Sequence, residues 1–348
     1  MKIKKLLSNL IPNKYKYGKS YVETFQFLKE NENWTEEEIK NYQLNKINQL
    51  LNYCIEKIPF YEELYRKNQI KLPIKNFKEL EKIPILTKKI IRENFEKLQS
   101  GDLKKLKAKI VNTGGSTGEP LKLYKSKENH IKEAAFIDYY LEKMGVNINK
   151  KRKITIRGAI PKEGIAEKCG NELIMSSYLI NKNNIRFYIE EIEKFNPEFI
   201  HVYPSSIYLI SKYINELKLQ INVPNLKVIL SSSEIFNKKQ KTLVEEVFKC
   251  KILDLYGNTE NSVQADIGYK FNPYYSYVEI INNEIVATAF NDLSMPLIRY
   301  ATGDEIEKVD NNNFIIKGRK KDYIVGKNDE KYPVVGIIFG QHFLALKI

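Results

Sequence analysis

The feature that most constrains the fold is a regular alternation of amphipathic and apolar segments between residues 186 and 257. Helical spacing in RFYIEEIEKF, SSIYLISKYINEL and KKQKTLVEEVFK alternates with the short apolar runs FIHVY, LKVILSS and KILDLYG. Helices that alternate with continuous apolar strands are typical of a parallel sheet covered on both faces. The sequence therefore predicts an α/β core whose ligands gather at the carboxyl ends of the strands, where the loop YGNTE would lie.

The flanking segments add helices before this core and strands after it. Apolar spacing predicts a helix over residues 38–58 and a helical region over 76–97 that Pro84 interrupts. After residue 270 the shorter alternating runs YSYVEII, NEIVATAF, EIEKV and NFIIKG predict a β-rich subdomain. We expect Ser205 or Ser206 to cap the second core helix, and Asn237 with Gln240 to form a capping box on the third.

Composition excludes several classes of protein. The net charge of +14 suggests a nucleic-acid partner, but the lysines are spread along all 348 residues and mixed with glutamate. Three cysteines and three histidines are scattered without disulfide or metal-ligand spacing. The basic N-terminus is a poor signal peptide, and no run approaches the roughly 20 apolar residues of a membrane span. We expect a cytoplasmic protein without nucleic acid; a dimer is compatible with the sequence, which sets no oligomeric state.

The segment VNTGGSTGEPLKLYKS, residues 111–126, places three glycines among hydroxyl side chains between two predicted strands. Such a loop can turn its backbone N–H groups toward an anion. It lacks the Gly-Lys-Ser/Thr ending of a Walker A loop, and an alternating strand follows where a dinucleotide fingerprint requires a helix. A loose phosphate-holding loop and a simple hairpin turn therefore stay equally open on this segment alone.

Three later segments carry further candidate residues. In DLYGNTENS, Tyr256 ends a strand, Gly257 allows a tight turn, and Glu260 follows in the loop. In MPLIRYATGDEIE, Gly303 and Asp304 are expected at a strand boundary, where a carboxylate could accept hydrogen bonds from a ribose. In IKGRKKDYIVGKN, two lysines lie between an arginine and an aspartate. Each segment alone is also compatible with an ordinary solvated turn.

The order of NTGGSTGEPL, DLYGNTE, LIRYATGD and IKGRKKDYI resembles the signature of the adenylate-forming superfamily. Within it the chain resembles phenylacetate–CoA ligases and capsular-polysaccharide proteins of the CapK type, from about residue 40 to residue 325. The resemblance implies a multi-layered α/β N-terminal domain with parallel sheets flanked by helices and a β-rich subdomain. We therefore expect a helical part at 1–105, a nucleotide-binding core at 106–270, the β-rich subdomain at 271–317, and the hinge with the start of a small C-terminal domain at 318–348.

The resemblance also implies roles for individual residues. The glycine-rich loop would hold the β- and γ-phosphates of ATP through Thr113, Gly114, Gly115, Ser116, Thr117 and Gly118. Tyr256, with Gly257 after it, would lie against adenine, Thr259 would contact the α-phosphate, and Glu260 would bind Mg²⁺. Asp304 would bind the ribose with Arg319 near it, and Lys321 would be the hinge. Ser233 and Glu234 match the family's Gly-Glu beside adenine, except that Ser233 replaces the glycine.

The activity implied is ATP-dependent activation of a carboxylic acid, giving an acyl-adenylate and pyrophosphate, followed by acyl transfer to CoA or to another acceptor. The expected setting is capsular or surface-polysaccharide biosynthesis. Alternatives are a ligase that forms an amide or ester on a sugar or amine without CoA, and a non-catalytic scaffold. Only 26 residues follow Asp322, so the small C-terminal domain, which carries the family's catalytic lysine, is expected to be missing. The segment ITIRGAI, with Arg157, resembles the capsular branch more than the aryl-acid ligases.

Overall fold

The computed structural model describes residues 11–113, 120–158, 161, 164–266, 270–309, 314–319, 323–325 and 331–333. The chain divides into two compact units, each discontinuous in sequence. The first comprises Met1–Val22, Ile137–Leu255 and Tyr323–Ile348, and the second Glu23–Phe136 and Tyr256–Asp322.

The helices of the described residues are α1 (Asn13–Tyr17), α2 (Lys19–Glu30), α3 (Glu36–Lys57), α4 (Pro59–Lys67), α5 (Phe77–Leu80), α6 (Lys88–Glu93), α7 (Lys127–Lys143), α8 (Ile185–Phe195), α9 (Pro204–Glu216) and α10 (Lys238–Phe248). The region around Pro84 is thus two short helices, α5 and α6, with a break between them.

The strands of the described residues are β1 (Lys109–Asn112), β2 (Lys122–Lys125), β3 (Lys153–Arg157), β4 (Ala166–Cys169), β5 (Glu172–Ser176), β6 (Phe199–Val202), β7 (Val228–Ser232), β8 (Lys251–Gly257), β9 (Gln264–Ala265), β10 (Ser276–Ile281), β11 (Glu284–Ala289), β12 (Tyr300–Lys308), β13 (Phe314–Arg319), β14 (Tyr323–Val325) and β15 (Lys331–Pro333). The chain passes from the first unit to the second within β8.

A parallel sheet forms the centre of the first unit. Its strands follow the order β4-β5-β3-β6-β7-β8, and every neighbouring pair is parallel except β4 with β5. Isoleucines and valines of β3, β6 and β7 pack with the apolar faces of α8, α9 and α10 in one buried cluster. The predicted α/β core is confirmed, because runs such as VILSS have almost no exposed surface on either face.

The second unit combines helices with antiparallel strands. Strands β10, β11, β12 and β13 form one antiparallel sheet in that order, and β1 and β2 form a hairpin. The end of β8 pairs with β9 through Tyr256 and Gly257. Apolar residues of α3 and α4 pack with those of the segment just before β12 in a second buried cluster. The predicted β-rich segment is confirmed by the four strands between residues 276 and 319.

Two of the local predictions at helix ends had different outcomes. Asn237 and Gln240 do form a capping box at the start of α10. The prediction that Ser205 or Ser206 caps α9 is wrong, because Pro204 already lies in the helix and Tyr203 occupies the cap position without a side-chain bond. Ser205 instead donates its backbone N–H and its hydroxyl to the carboxylate of Glu234, at 2.9 and 3.0 Å.

Arg299 holds several segments of the second unit together. The side chain is 6% exposed, and its Nε and Nη2 atoms donate to Glu279 on β10 at 3.0 and 2.8 Å. Nη1 donates to the backbone carbonyls of Glu81 and Ile83, between α5 and α6. A guanidinium suits this role because its rigid fork can satisfy a carboxylate and two carbonyls at once.

We expect Arg299→Met to lower the free energy of unfolding by about 3–5 kcal/mol, because Glu279 would keep a buried charge without its cation. Urea denaturation of the purified protein measures this change. Lys317→Met, which removes an exposed ion pair with Glu307 on the same sheet, is the control and should change stability by less than about 1 kcal/mol. Equal effects of the two substitutions would contradict the role given to Arg299.

Candidate active site

Four of the predicted site residues come together in the second unit. The hydroxyl of Tyr256 donates to Oδ2 of Asp304 at 2.6 Å. Arg319 lies opposite Asp304 in the register of β12 and β13, with its Nε 3.6 Å from Oδ1 of that carboxylate. Glu260 belongs to the same group, since it acts electrostatically on both Tyr256 and Asp304. Tyrosine, two carboxylates and a guanidinium thus form one connected polar cluster.

The geometry of β12 explains how this cluster forms. Alternate residues of a strand face the same side, so Tyr300, Thr302 and Asp304 all turn toward the buried face. Gly303 has a positive φ of +84°, and the register with β13 shifts at Glu305 and Ile306. The expectation that Gly303 and Asp304 mark a strand boundary is wrong: they lie inside β12, where a bulge redirects the strand.

Glu260 is a buried carboxylate with one oxygen left over. Its side chain is 2% exposed. Oε1 accepts a hydrogen bond from the hydroxyl of Tyr300 at 2.7 Å and lies 3.9 Å from Nζ of Lys88. Oε2 is buried and has no hydrogen-bond partner among the described residues. A buried carboxylate oxygen without a donor is costly unless a ligand or metal ion completes its coordination.

Burial also controls the protonation of Asp304. Desolvation raises the pKa of Asp304, while the Tyr256 hydroxyl, Arg319 and Lys88 act in the opposite direction by favouring the carboxylate. Burial and the neighbouring carboxylates raise the pKa of Tyr256 and Tyr300 well above the usual value, so both phenols stay protonated and donate. The cluster therefore combines acceptors held in place by neutral donors with cations at their edge.

Sequence reasoning missed three residues of this site. Tyr300 lies inside the segment LIRYATGD, where only Gly303 and Asp304 were predicted as site residues. Lys88 lies in α6, distant in sequence from all the predicted site residues of the cluster. Lys125 on β2 donates from Nζ to the backbone carbonyl of Glu260 and lies 3.9 Å from Asp292. Burial lowers the pKa of Lys125, whereas Asp292, Glu260 and Glu133 raise it. The alternation of β12 was the one signal that could have identified Tyr300.

Other predicted residues are placed less completely. Residues 114–119, which include most of the glycine-rich loop, and Lys321 lie outside the described residues. Thr113 lies at the base of the β1–β2 hairpin, where its hydroxyl oxygen accepts from the backbone N–H of Leu121 at 3.0 Å. Gly257 and Thr259 are exposed. The two predicted strands on either side of this segment are confirmed, while the phosphate-holding role of the loop stays a prediction.

Some classes of site are not found in the described part of the chain. No three histidine, cysteine, aspartate or glutamate side chains there converge as a metal site. In the same segments, no helix has the length and apolar character needed to cross a bilayer. Cys54 and Cys250 form no disulfide with another described residue.

Comparison with known proteins gives this geometry a context. No protein-family model matches the chain. The protein CapK of Staphylococcus aureus is 26% identical, and the match covers 91% of this chain and 73% of CapK.

Crystal structures of a 2-hydroxyisobutyryl-CoA ligase share the fold. The postadenylation state with 2-HIB-AMP has a TM-score of 0.64 at 16% identity, over 87% of this chain and 72% of that one. The thioesterification state with 2-HIB-AMP and CoA has a TM-score of 0.62 at 17% identity, over 83% and 70%. The chain is thus similar in sequence to CapK and shares its fold with this CoA ligase. The fold expected from the ordered motifs is confirmed.

The first unit holds the two remaining residues assigned from the adenylate-forming family. Ser233, which stands where the family motif has glycine, has a φ of +76°. That region of backbone space is unfavourable for residues with a Cβ atom. The next residue, Glu234, accepts both donors of Ser205 at the start of α9, and burial raises the pKa of Glu234 against the effect of these bonds. The serine thus keeps the glycine-type conformation of the motif.

We expect Ser233→Gly to raise the free energy of unfolding by about 0.5–1 kcal/mol, because it relieves a left-handed conformation but adds chain entropy to the unfolded state. Thermal and urea denaturation provide the measurement. Lys212→Gly, in α9 at a side chain that is 42% exposed, is the control and should cost about 1 kcal/mol because its backbone is right-handed helix. A loss of stability in Ser233→Gly would show that the serine is not strained.

Proposed function

We propose that the chain activates a carboxylic acid with ATP. A carboxylate oxygen of the acid attacks the α-phosphorus, the bond from that phosphorus to the β-phosphate oxygen breaks, and the products are an acyl-adenylate and pyrophosphate. The observation that carries this proposal is the buried Glu260 carboxylate, with its unpartnered Oε2, in one cluster with Tyr256 and Asp304. An arrangement of this kind positions a nucleotide and supplies charge rather than a protein nucleophile.

Asp304 is suited to bind the ribose. Its carboxylate is held by Tyr256 and faces Arg319, and a carboxylate can accept hydrogen bonds from two hydroxyl groups of a sugar. Tyr256 is fixed by the same hydrogen bond, which orients its ring at the end of β8. A ring anchored through its hydroxyl can present a face to a nucleobase without losing rotamer entropy on binding.

Glu260 is suited to hold a magnesium ion. Mg²⁺ in nucleotide sites commonly uses one or two protein carboxylates together with phosphate oxygens, and the Oε2 atom of Glu260 is the buried oxygen left available. When bound, the ion would neutralise charge that develops on the leaving pyrophosphate. Lys88 lies 3.9 Å from the other oxygen and adds positive charge on the same side.

We propose CoA as the acceptor of the acyl group in the second step. The 2-hydroxyisobutyryl-CoA ligase of the same fold was crystallised with an acyl-AMP and CoA, which supports this choice. A second candidate is transfer to a sugar or amine, which would agree with the resemblance of the motifs to capsular-polysaccharide proteins and with the similarity to CapK. Identification of the product distinguishes the two candidates. Transfer to CoA gives a thioester of the activated acid, and transfer to an amine or sugar gives an amide or ester.

We expect Glu260→Gln to slow acid-dependent exchange of pyrophosphate into ATP by about 100-fold or more, because it removes the charge that would hold the metal. The isosteric amide keeps the packing of the buried side chain. Glu307→Gln, which changes an exposed carboxylate on β12, is the matched control and should leave exchange unchanged. Calorimetry should show weaker MgATP binding in Glu260→Gln and unchanged binding in Glu307→Gln. Equal activity of the two variants would refute the role of Glu260.

We expect Asp304→Asn to weaken MgATP binding about 10- to 100-fold through loss of a charged acceptor. Burial raises the pKa of Asp304 in the folded state. A carboxylate with a raised folded pKa stabilises the protein below its unfolded pKa, and that contribution is lost as pH rises through the folded value. At pH 7 the asparagine variant should therefore melt no lower than the wild type, so weaker binding cannot be attributed to unfolding.

Removal of magnesium provides an independent check. With excess EDTA, nucleotide affinity and pyrophosphate exchange should both fall in the wild type, and the Glu260→Gln variant should respond much less. A wild type that neither binds MgATP nor exchanges pyrophosphate with aryl, fatty or amino acids would favour a non-catalytic scaffold.

A further inference from the structure

Arg157 occupies a polar site at the carboxyl edge of the sheet in the first unit. It is the last residue of β3, and its Nη2 atom donates to Nε2 of His201 at 2.8 Å and to Oγ of Ser232 at 2.9 Å. His201 lies on β6 and Ser232 ends β7, so three adjacent parallel strands contribute. The guanidinium carbon also lies 5.0 Å from the ring centre of Tyr203, which follows β6.

The site has a positive charge without a balancing negative one. Nε of Arg157 is buried and has no hydrogen-bond acceptor, and no carboxylate of the described residues forms an ion pair with this guanidinium. Burial, Arg157 and Lys153 lower the pKa of His201 well below its usual value, so the imidazole is neutral and accepts at Nε2. Burial lowers the pKa of Arg157 itself, yet an arginine keeps its charge at neutral pH.

Comparison with Arg299 shows what is missing. Arg299 donates to the carboxylate of Glu279 and to two backbone carbonyls. These partners account for Arg299 as a structural cation. Among the described residues, the partners of Arg157 are neutral: a histidine, a serine and an aromatic face. A charge retained in a desolvated place without a counter-ion indicates a site that is completed by an anion from outside the chain.

We infer that Arg157 binds an oxyanion of the substrate, a carboxylate or phosphate other than the carboxylate that becomes activated. This inference rests on the proposed function. The reacting carboxylate must keep its lone pairs free to attack the α-phosphorus, and a guanidinium fork would engage them. His201 and Ser232 hold the guanidinium in place by accepting from Nη2, and they leave Nε for the ligand. The acid, or the acceptor that takes its acyl group, therefore carries a second negative charge.

Binding without nucleotide tests the site directly. Calorimetry with glutarate, pentanoate and inorganic phosphate as probes should show that the wild type prefers glutarate or phosphate over pentanoate by at least about tenfold. Arg157→Met should remove that preference while leaving the affinity for pentanoate unchanged. Arg152→Met is the matched control, since Arg152 precedes the same strand and lies over the ring of Phe195, and it should keep the preference.

The exchange reaction and the transfer step identify the source of the oxyanion. If it belongs to the acid, pyrophosphate exchange should be faster with glutarate than with pentanoate in the wild type and equal in Arg157→Met. If it belongs to the acceptor, transfer to an amino-sugar phosphate should exceed transfer to the free amino sugar, again only with Arg157 present. Either pattern supports the inference.

A purely structural role for Arg157 predicts different results. In that case Arg157→Met would melt at a lower temperature and bind all three probes as the wild type does, which would overturn the inference. We expect instead an unchanged or higher melting temperature, because an unpaired charge is removed. Arg157→Lys, which keeps the charge but loses the fork, provides a second variant and should lose most of the preference. The inference is equally wrong if the wild type shows no preference for anionic probes.

Failure of this inference differs from failure of the proposed ligase activity. A protein that binds glutarate or phosphate through Arg157, yet neither binds MgATP nor exchanges pyrophosphate, retains the oxyanion site and loses the ligase function. A protein that exchanges pyrophosphate equally well with mono- and dicarboxylates, with or without Arg157, retains the ligase function and lacks the oxyanion site.

Discussion

Desolvation of charge is the physical constraint on which the candidate site depends. Glu260 is only 2% exposed, and water cannot stabilise its carboxylate. Tyr300 donates to one oxygen and Lys88 lies near it, so the protein itself compensates for part of the cost. For Asp304, the hydrogen bond from Tyr256 and the nearby charge of Arg319 compensate in the same way. Tyr300, which donates to Glu260, and Asp304 both lie on the buried face of β12. This strand therefore sets the spacing between the carboxylates of Glu260 and Asp304.

Two arginines show how the same chemistry can serve packing in one place and binding in another. Arg299, just before β12, connects that strand to β10 and to the segment between α5 and α6, and each of its three side-chain nitrogens has an acceptor. Arg157 lies among neutral groups, and its Nε has no acceptor in the segments that the structure describes. The side chains alone do not distinguish these roles, whereas the presence or absence of a carboxylate partner does. A buried pair is costly to break, while an unpaired cation is costly to keep.

Much of this fold could be predicted from the sequence, because alternation of apolar strands and amphipathic helices depends on nearby residues. The segments around β6, β7 and β8 were recognised for this reason, as was the capping box of Asn237 and Gln240. Long-range contacts could not be predicted in the same way. Lys88 reaches Glu260 across 172 positions of sequence, and Ser205 binds Glu234 rather than capping its own helix. No local pattern encodes such partners, and only the ordered motifs and the family they resemble suggested which residues would meet.

Three of the local costs in the described part of the chain concern residues of the proposed sites. Ser233 holds a left-handed backbone, Oε2 of Glu260 lacks a donor, and Nε of Arg157 lacks an acceptor. Native domains are stable by only about 5–15 kcal/mol, so unfavourable features of this kind reduce a small margin. Ser233→Gly and Arg157→Met would each relieve one of these costs. A ligand that binds only the folded state adds stability in proportion to its concentration over its dissociation constant. The strain and the two unpartnered atoms therefore support the proposal that a magnesium nucleotide and an anionic substrate complete the charge and hydrogen bonding of these sites.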